Sequence, residues 1–350
     1  MSLIDIWDYL RAASDRRLRQ QGYVSSGMGL VERYRRAASF WAPHLENNQR
    51  RLRSIAAHLS LNKKSPAGTL LVLGAGRLLD VPWQDLFPLF ERVALFDADA
   101  CTVPYVERML SAARIPSMPQ PQFEIGDLTA SVVDLAAWAQ HTIGAAASAK
   151  DAARDLAAGF ERAAAVQPPW ARTFVDVRLV ISTNLLSQLG YFPRLHVQGL
   201  FRKRFGKRFD DFDNAAESLE RYFDRIRARH VQDIASFKKS WTYLSTDVQT
   251  VVYSVKPPHS LDLRNAPKDA GVRLDDKGQL QFDWPVEILE LDDPLHGQKV
   301  RELWPRTASV NPPERWAWHI VPQGSEKRYL DRGRVHIVEA WTKTAVSGEI

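Results

Sequence analysis

Short continuous apolar runs alternate with stretches of helical spacing through the middle of the chain. The runs are TLLVL (69–73), RVALFDAD (92–99), QFEIGD (122–127) and FVDVRLVIS (174–182). Runs of this length, closed by glycine or acids, are the pattern of strands buried on both faces. Helices are predicted between them at 83–90 and 102–113. The Ala-rich stretch 128–166 has strong helical propensity. It reads as one or two helices packed through Leu135, Trp138, Leu156 and Phe160, with a low-complexity linker as the alternative, and PPW (168–170) ends it. The β–α–β order predicts a doubly wound parallel α/β sheet with helices on both faces. An amphipathic helix at 214–239 and a strand at 247–254 follow. WAWHIV (316–321) and RVHIVEAW (334–341), with Gly324 between them, predict an antiparallel pair and a sheet of seven strands, most of them parallel. The proline-bearing stretch 256–314 reads as an irregular insertion with strand-like pieces at 278–284 and 286–291.

The N-terminal part has a different pattern. Leu3, Ile6, Trp7 and Leu10 predict a helix over 3–21, and Gly22, Gly27 and Gly29 predict a loop after it. Tyr34, Phe40, Trp41, Leu45, Leu52, Ile55 and Leu59 predict a second helix from about Leu30 to Leu61, divided at Pro43. NKKSPAG (62–68) breaks the pattern. The chain therefore divides into a helical cap, 1–66, and an α/β domain, 67–350, which carries the Ala-rich segment 128–167 and the insertion 256–314.

Composition narrows the function classes. The chain has 350 residues, 45% hydrophobic and 25% charged, which suits a globular protein and excludes a disordered chain or a rod. One cysteine, Cys101, excludes an intramolecular disulfide and any multi-cysteine metal site, and it is expected to be buried packing. No catalytic metal is expected. No run of about 18 apolar residues predicts a membrane span. Asp5 and Asp8 interrupt the stretch where a secretory signal needs apolar residues, so a cytoplasmic protein is expected. Net charge is +6, and residues 1–66 hold 12 Lys and Arg against 5 Asp and Glu. That basic cap is either a polyanion-binding surface or a solvated helix face.

The candidate chemistry begins at the end of the first strand. Gly74-Ala75-Gly76 lets the backbone approach a ligand closely. Asp97 ends the second strand 21 residues after Gly76, a spacing suited to a carboxylate that accepts ribose hydroxyls. Leu79 stands where a dinucleotide fingerprint needs its third glycine, which disfavours NAD and FAD. LLVLGAGRLLDVP (70–82), VALFDAD (93–99), FEIGDL (123–128), LVISTNLLSQLG (179–190) and the terminal strand pair resemble a class I SAM-dependent methyltransferase. The resemblance spans a little over half of the chain. It implies S-adenosyl-L-methionine (SAM) as cofactor, with Gly74, Ala75 and Gly76 at its amino-acid part and Asp97 and Ala98 at the ribose. Asp127 and Leu128 would lie near the adenine, and Ser182 and Asn184 at the end of the fourth strand. The family's acid-x-Gly-x-Gly-x-Gly loop has Val72 at its acid position and Leu78 at its last glycine here. Asp80 either replaces that acid or caps the next helix.

A catalytic group is less apparent. Asn184 and Gln188 are neutral polar candidates, and His196 and His230 are candidate bases with structural roles as the alternative. Tyr34, Trp41, Gln188 and Tyr191 are candidates for an acceptor pocket; Tyr23, Phe192 and His44 are further lid or wall residues. In LFRKRFGKRFDDFD (200–213), cations alternate with Phe201, Phe205 and Phe209. That pattern binds nucleic acid or anchors a helix whose charges face water. The expected activity is methyl transfer to an O or N nucleophile of a small or medium-sized acceptor. The alternatives are an RNA or protein methyltransferase, or a non-catalytic binding protein of this fold.

Overall fold

The computed structural model describes residues 16–61, 67–115, 118–264 and 269–345. The helix expected over 3–21 is described only as α1 (Arg16–Gln20), and the part before residue 16 lies outside the described residues. Helix α2 runs unbroken by a loop from Tyr23 to Leu61. This corrects two expectations. Gly27 and Gly29 lie inside the helix rather than in a loop, and the backbone departs from helical geometry at Ala37 (φ −124°, ψ 26°), not at Pro43.

Then come β1 (Thr69–Leu73), α3 (Trp83–Leu86) with a 3₁₀ turn at Phe87–Leu89, β2 (Arg92–Asp97), α4 (Thr102–Ala113) and β3 (Gln122–Ile125). The Ala-rich stretch forms two packed helices, α5 (Val132–Ala145) and α6 (Ala149–Arg162). Ser148 accepts a hydrogen bond from the Asp151 N–H at 3.2 Å, which starts α6. The chain continues through α7 (Trp170–Thr173), β4 (Val177–Thr183), α8 (Tyr191–Phe205), α9 (Asp213–Ser236) and β5 (Trp241–Val255). The insertion contains β6 (Val272–Leu274), β7 (Leu280–Phe282), β8 (Val286–Asp292) and α10 (Val300–Leu303). The chain ends in β9 (Glu314–Val321) and β10 (Gly333–Lys343).

The main sheet has the order β3-β2-β1-β4-β5-β10-β9. The pairs β1–β2, β2–β3, β1–β4 and β4–β5 are parallel, and β5–β10 and β10–β9 are antiparallel. The sheet is thus the mostly parallel, doubly wound one that the strand runs predict, with one addition. β5 is 15 residues long, and its second half pairs β8 antiparallel over Thr250–Val255, making eight strands. β6 and β7 form a separate hairpin.

All five β1 residues are buried because each face of the sheet is covered. Leu71 and Leu73 pack into the core under α5, α6, α8 and α9, and Leu70 and Val72 into the core under α2. Each such side chain contributes about 1.5–3 kcal/mol by leaving water. Residues 200–213 are anchored in the first core by Phe201 and Phe209, while Arg202, Lys203, Arg204, Lys207 and Arg208 face solvent. No helix among the described residues is long and apolar enough to cross a membrane.

Candidate functional site

A cavity opens where the sheet order reverses, at the carboxyl ends of β3, β2, β1 and β4. Doubly wound sheets bind ligands at this switch point because the flanking loops diverge there. Its empty space is about 840 Å³ including the mouth. The lining includes Gly74, Gly76, Asp97, Ala98, Asp127, Leu128, Asn184 and Gln188, so the glycine turn, the strand-end acids and the β4 loop meet in one place.

The turn is built on left-handed backbone. Gly74 has φ +69° and Gly76 φ +52°. A Cβ at Gly74 would lie 3.1 Å from the Leu185 side chain, whereas one at Gly76 would have nothing closer than 3.9 Å. Gly74 is therefore needed for packing and Gly76 for an open backbone. Leu78 is also left-handed, at φ +54°, in the position where the resemblance has glycine. A buried leucine holds that conformation at a cost of about 1–2 kcal/mol.

Asp97 ties the turn to β2. Its Oδ2 accepts from the Gly76 N–H at 2.6 Å and its Oδ1 from the Asp99 N–H at 2.7 Å. Burial, and next the neighbouring Asp99 charge, push its pKa up to about 6, against the opposing pull of those two N–H groups and Arg77. Asp99 is held by Arg77 at 3.0 Å and accepts from the Cys101 N–H at 2.9 Å, which opens α4. Arg77, Asp99 and Thr183 also line the cavity, and the sequence reading did not single them out. Cys101 is buried.

Asp127 turns both oxygens to the backbone as well. Oδ1 accepts from Thr129 N–H at 2.8 Å and Oδ2 from Val133 N–H at 3.0 Å, so it also caps α5. The Leu128 carbonyl accepts from the Trp170 indole at 2.8 Å. Tyr23, Gly27 and Leu30 of α2 complete the cavity wall. Tyr23 packs against Phe192 with the rings tilted and their centroids 4.9 Å apart, and burial followed by the Asp127 charge raises its phenol pKa.

Other residues singled out from sequence lie outside the cavity lining. Ala75 is buried behind the turn, its N–H donating to the Phe96 carbonyl at 3.1 Å. The Ser182 hydroxyl pairs with His230 Nε2 at 3.0 Å within the core, where burial lowers the His230 pKa to about 4. His196 is half-buried on α8, with its pKa lowered mainly by burial. Trp41 is buried and donates to the Ile320 carbonyl at 3.0 Å, Tyr34 packs beside it, and Tyr191 is exposed. Alternation along β4 explains one of these positions: Ser182 turns to the core while Thr183 faces the cavity.

Asp80 stands in a buried polar cluster behind Asn184. Its Oδ1 lies 3.0 Å from His44 Nε2 and 3.0 Å from Asn48 Nδ2, and its Oδ2 accepts from Asn184 Nδ2 at 3.2 Å. No hydrogen bond of the Asp80 side chain starts α3, whose N-cap is Pro82.

No protein-family model and no curated protein matches the sequence at a significant level. Some solved structures align with it in outline. The DhpI–SAH complex aligns over 93% of this chain and 98% of that one, at 13% identity and TM-score 0.30. A structure describing conversion of a disulfide bond into a thioacetal group during echinomycin biosynthesis aligns over 81% and 78%, at 11% identity and TM-score 0.30. The glycopeptide N-methyltransferase MtfA aligns over 81% and 88%, at 12% identity and TM-score 0.28. With four parallel pairings in the order β3-β2-β1-β4-β5, an antiparallel β10 inserted between β5 and β9, and a glycine turn at the switch point, the chain has a Rossmann-like, doubly wound α/β fold with a C-terminal antiparallel strand pair.

Proposed function

We propose that this cavity binds SAM and that the chain transfers the methyl group to an O or N nucleophile of a small or medium-sized acceptor. The observation that carries this reading is the meeting of the left-handed two-glycine turn and the Asp97 carboxylate in one cavity. The residues fit the cofactor. Gly76 leaves its backbone open for the amino-acid part, Asp97, with Ala98 beside it, offers carboxylate lone pairs to ribose hydroxyls, and Asp127 and Leu128 lie farther along for the adenine. A pyrophosphate is poorly served, because no helix starts directly after the turn: α3 begins at Trp83.

When bound, SAM supplies an electrophilic methyl group on a sulfonium. The protein's contribution is enclosure and orientation. Leu30, Leu185, Leu189 and Phe192 give apolar walls that exclude water. Gln188 and Thr183 are neutral hydrogen-bonding groups that orient an acceptor without deprotonating it. Among the described residues no histidine lines the cavity, which favours an amine nitrogen that is already neutral over an alcohol. An RNA acceptor finds less support, because the phenylalanines of the 200–209 segment serve the core and only its cations remain exposed.

The test is calorimetric titration with SAM, S-adenosylhomocysteine and NAD on wild type and Asp97→Ala, followed by a methyl-transfer screen. Binding of the two sulfur compounds but not NAD, weakened about 100-fold in the variant, supports the site; two lost charge-assisted hydrogen bonds account for that size. Binding without transfer to any acceptor would leave a non-catalytic binding protein. No binding to folded wild type would reject the cofactor.

A further inference from the structure

Trp316 and the Asp80 carboxylate set the hydrogen bonds of the cluster behind the cavity, in which Asn48 Nδ2 and Asn184 Nδ2 also lie 3.2 and 3.1 Å from His44 Nε2. Trp316 Nε1 lies 3.0 Å from His44 Nδ1, and an indole N–H only donates. Nδ1 therefore accepts, and the His44 proton sits on Nε2, facing Asp80 Oδ1 at 3.0 Å. The Asp80 carboxylate only accepts, so both amides near it turn their nitrogens inward: Asn48 to Oδ1 at 3.0 Å and Asn184 to Oδ2 at 3.2 Å. That fixes the amide oxygens. Asn48 Oδ1 accepts from the Tyr243 hydroxyl at 2.7 Å. Asn184 Oδ1 is buried with no partner among the described residues, and Asn184 is the member of this cluster that lines the cavity.

Asn184 is held from its backbone as well. It is left-handed at φ +51°, and its N–H donates to the Ser245 carbonyl at 2.8 Å. The residue is thus held by both backbone and side chain, and its buried amide oxygen is an acceptor that no described residue fills. An unsatisfied buried acceptor is costly unless a ligand fills it.

We propose that Asn184 Oδ1 is the acceptor for the α-ammonium group of the cofactor, and that His44 and Asp80 are positioning residues that hold the amide in that orientation. This rests on the SAM reading above. Along the strand order, Asp127 of the β3 loop, Asp97 of β2, the β1 turn and Asn184 after β4 follow one another across the cavity. A ligand whose ribose meets Asp97 brings its amino-acid end to β1 and β4. There the amide relays the Asp80 negative charge: a cation at Oδ1 is stabilised by a carboxylate one amide away. Val72 occupies the family's acid position inside the core, and Asp80 restores a carboxylate through Asn184 rather than by contact.

The test compares S-adenosylhomocysteine with its analogue lacking the α-amino group, by calorimetry on wild type, Asn184→Ala and Asp80→Asn. Wild type is expected to prefer the amino compound at least tenfold. Both variants should bring that ratio close to one while the desamino analogue binds within threefold of wild type. Because the readout is a ratio within each protein, a general loosening of the fold that weakens both ligands does not imitate the result. A wild type without preference, or a ratio kept in Asn184→Ala, overturns the ammonium site and makes an acceptor amine the ligand of Asn184. A ratio lost in Asn184→Ala but kept in Asp80→Asn overturns the positioning role alone. Failure of wild type to bind either compound is instead a failure of the cofactor reading.

Discussion

Asp97 uses its two oxygens to hold Gly76 and Asp99 N–H groups, and the same carboxylate faces the cavity. An ionised carboxylate accepts ribose hydroxyls better than its neutral acid, and this one titrates at about 6 instead of 3.8. Cofactor affinity is therefore expected to be constant above about pH 7 and to weaken as pH falls through 6, up to tenfold per unit. Calorimetry at pH 5, 6, 7 and 8 checks this, and Asp97→Asn should flatten the profile. At this scale the sequence was informative where a residue's task is local. The Gly74, Gly76 and Asp97 positions follow from a glycine turn after a buried strand and an acid at the end of the next. Asp80 was ambiguous because its partners, His44 and Asn184, lie 36 positions before it and 104 after it. Leu78 was misleading for another reason: left-handed geometry is a property of the folded loop, and a leucine does not announce it.

The element that most changes the picture is α2. Its first turns pass over the cavity, and a Cβ at Gly27 would fall 2.0 Å from Asp99 Oδ2. Asp99 is fixed by Arg77 and the Cys101 N–H, so it has little room to yield. In a free helix Gly→Ala stabilises by about 1 kcal/mol. Gly27→Ala is expected to do the opposite locally, forcing the N-terminal part of α2 off the cavity and weakening cofactor binding more than tenfold. Calorimetry together with hydrogen exchange over residues 23–36 reads both effects. Three glycines within eight residues read as a loop in the sequence because close approach between a helix and a distant acid leaves no local mark. The break at Ala37, six residues before the proline, was hidden in the same way. By contrast α4 was legible to the residue, since an acidic strand end and a turn of helical spacing define it locally. The extension of β5 and its pairing with β8 were not, because polar positions such as Ser245 and Thr246 inside a buried strand mask its pattern.

Across the whole molecule, the layer order was readable because continuous apolar runs separated by helices leave few alternatives to a parallel sheet. The site was half readable, since one wall comes from the sheet and the other from a helix more than forty residues earlier. Among the described residues, the buried imidazoles of His230, His319 and His336 have their pKa pressed down to about 4, chiefly by burial. A histidine depressed from 6.5 stabilises the fold fully above pH 6.5 and loses that contribution as pH falls toward 4. By pH 5 each costs on the order of 2 kcal/mol. The raised Asp97 works in the opposite sense but over a narrower range, from about 6 downward. Thermal unfolding is therefore expected to move to lower temperature between pH 6.5 and pH 4.5, and His336→Gln should reduce the slope.

The contact between α2 and β9 has an optical consequence. Trp41 meets Trp318 edge-on at 5.0 Å, and the His44 ring lies parallel to the same indole at 4.0 Å. Two indoles this close and nearly perpendicular share their excited states, which gives a paired positive and negative band in circular dichroism. Lifting the part of α2 beyond Ala37 from β9 separates them and erases that couplet while the helix signal persists, so the protein carries a label-free gauge of whether this part of α2 is seated on the sheet.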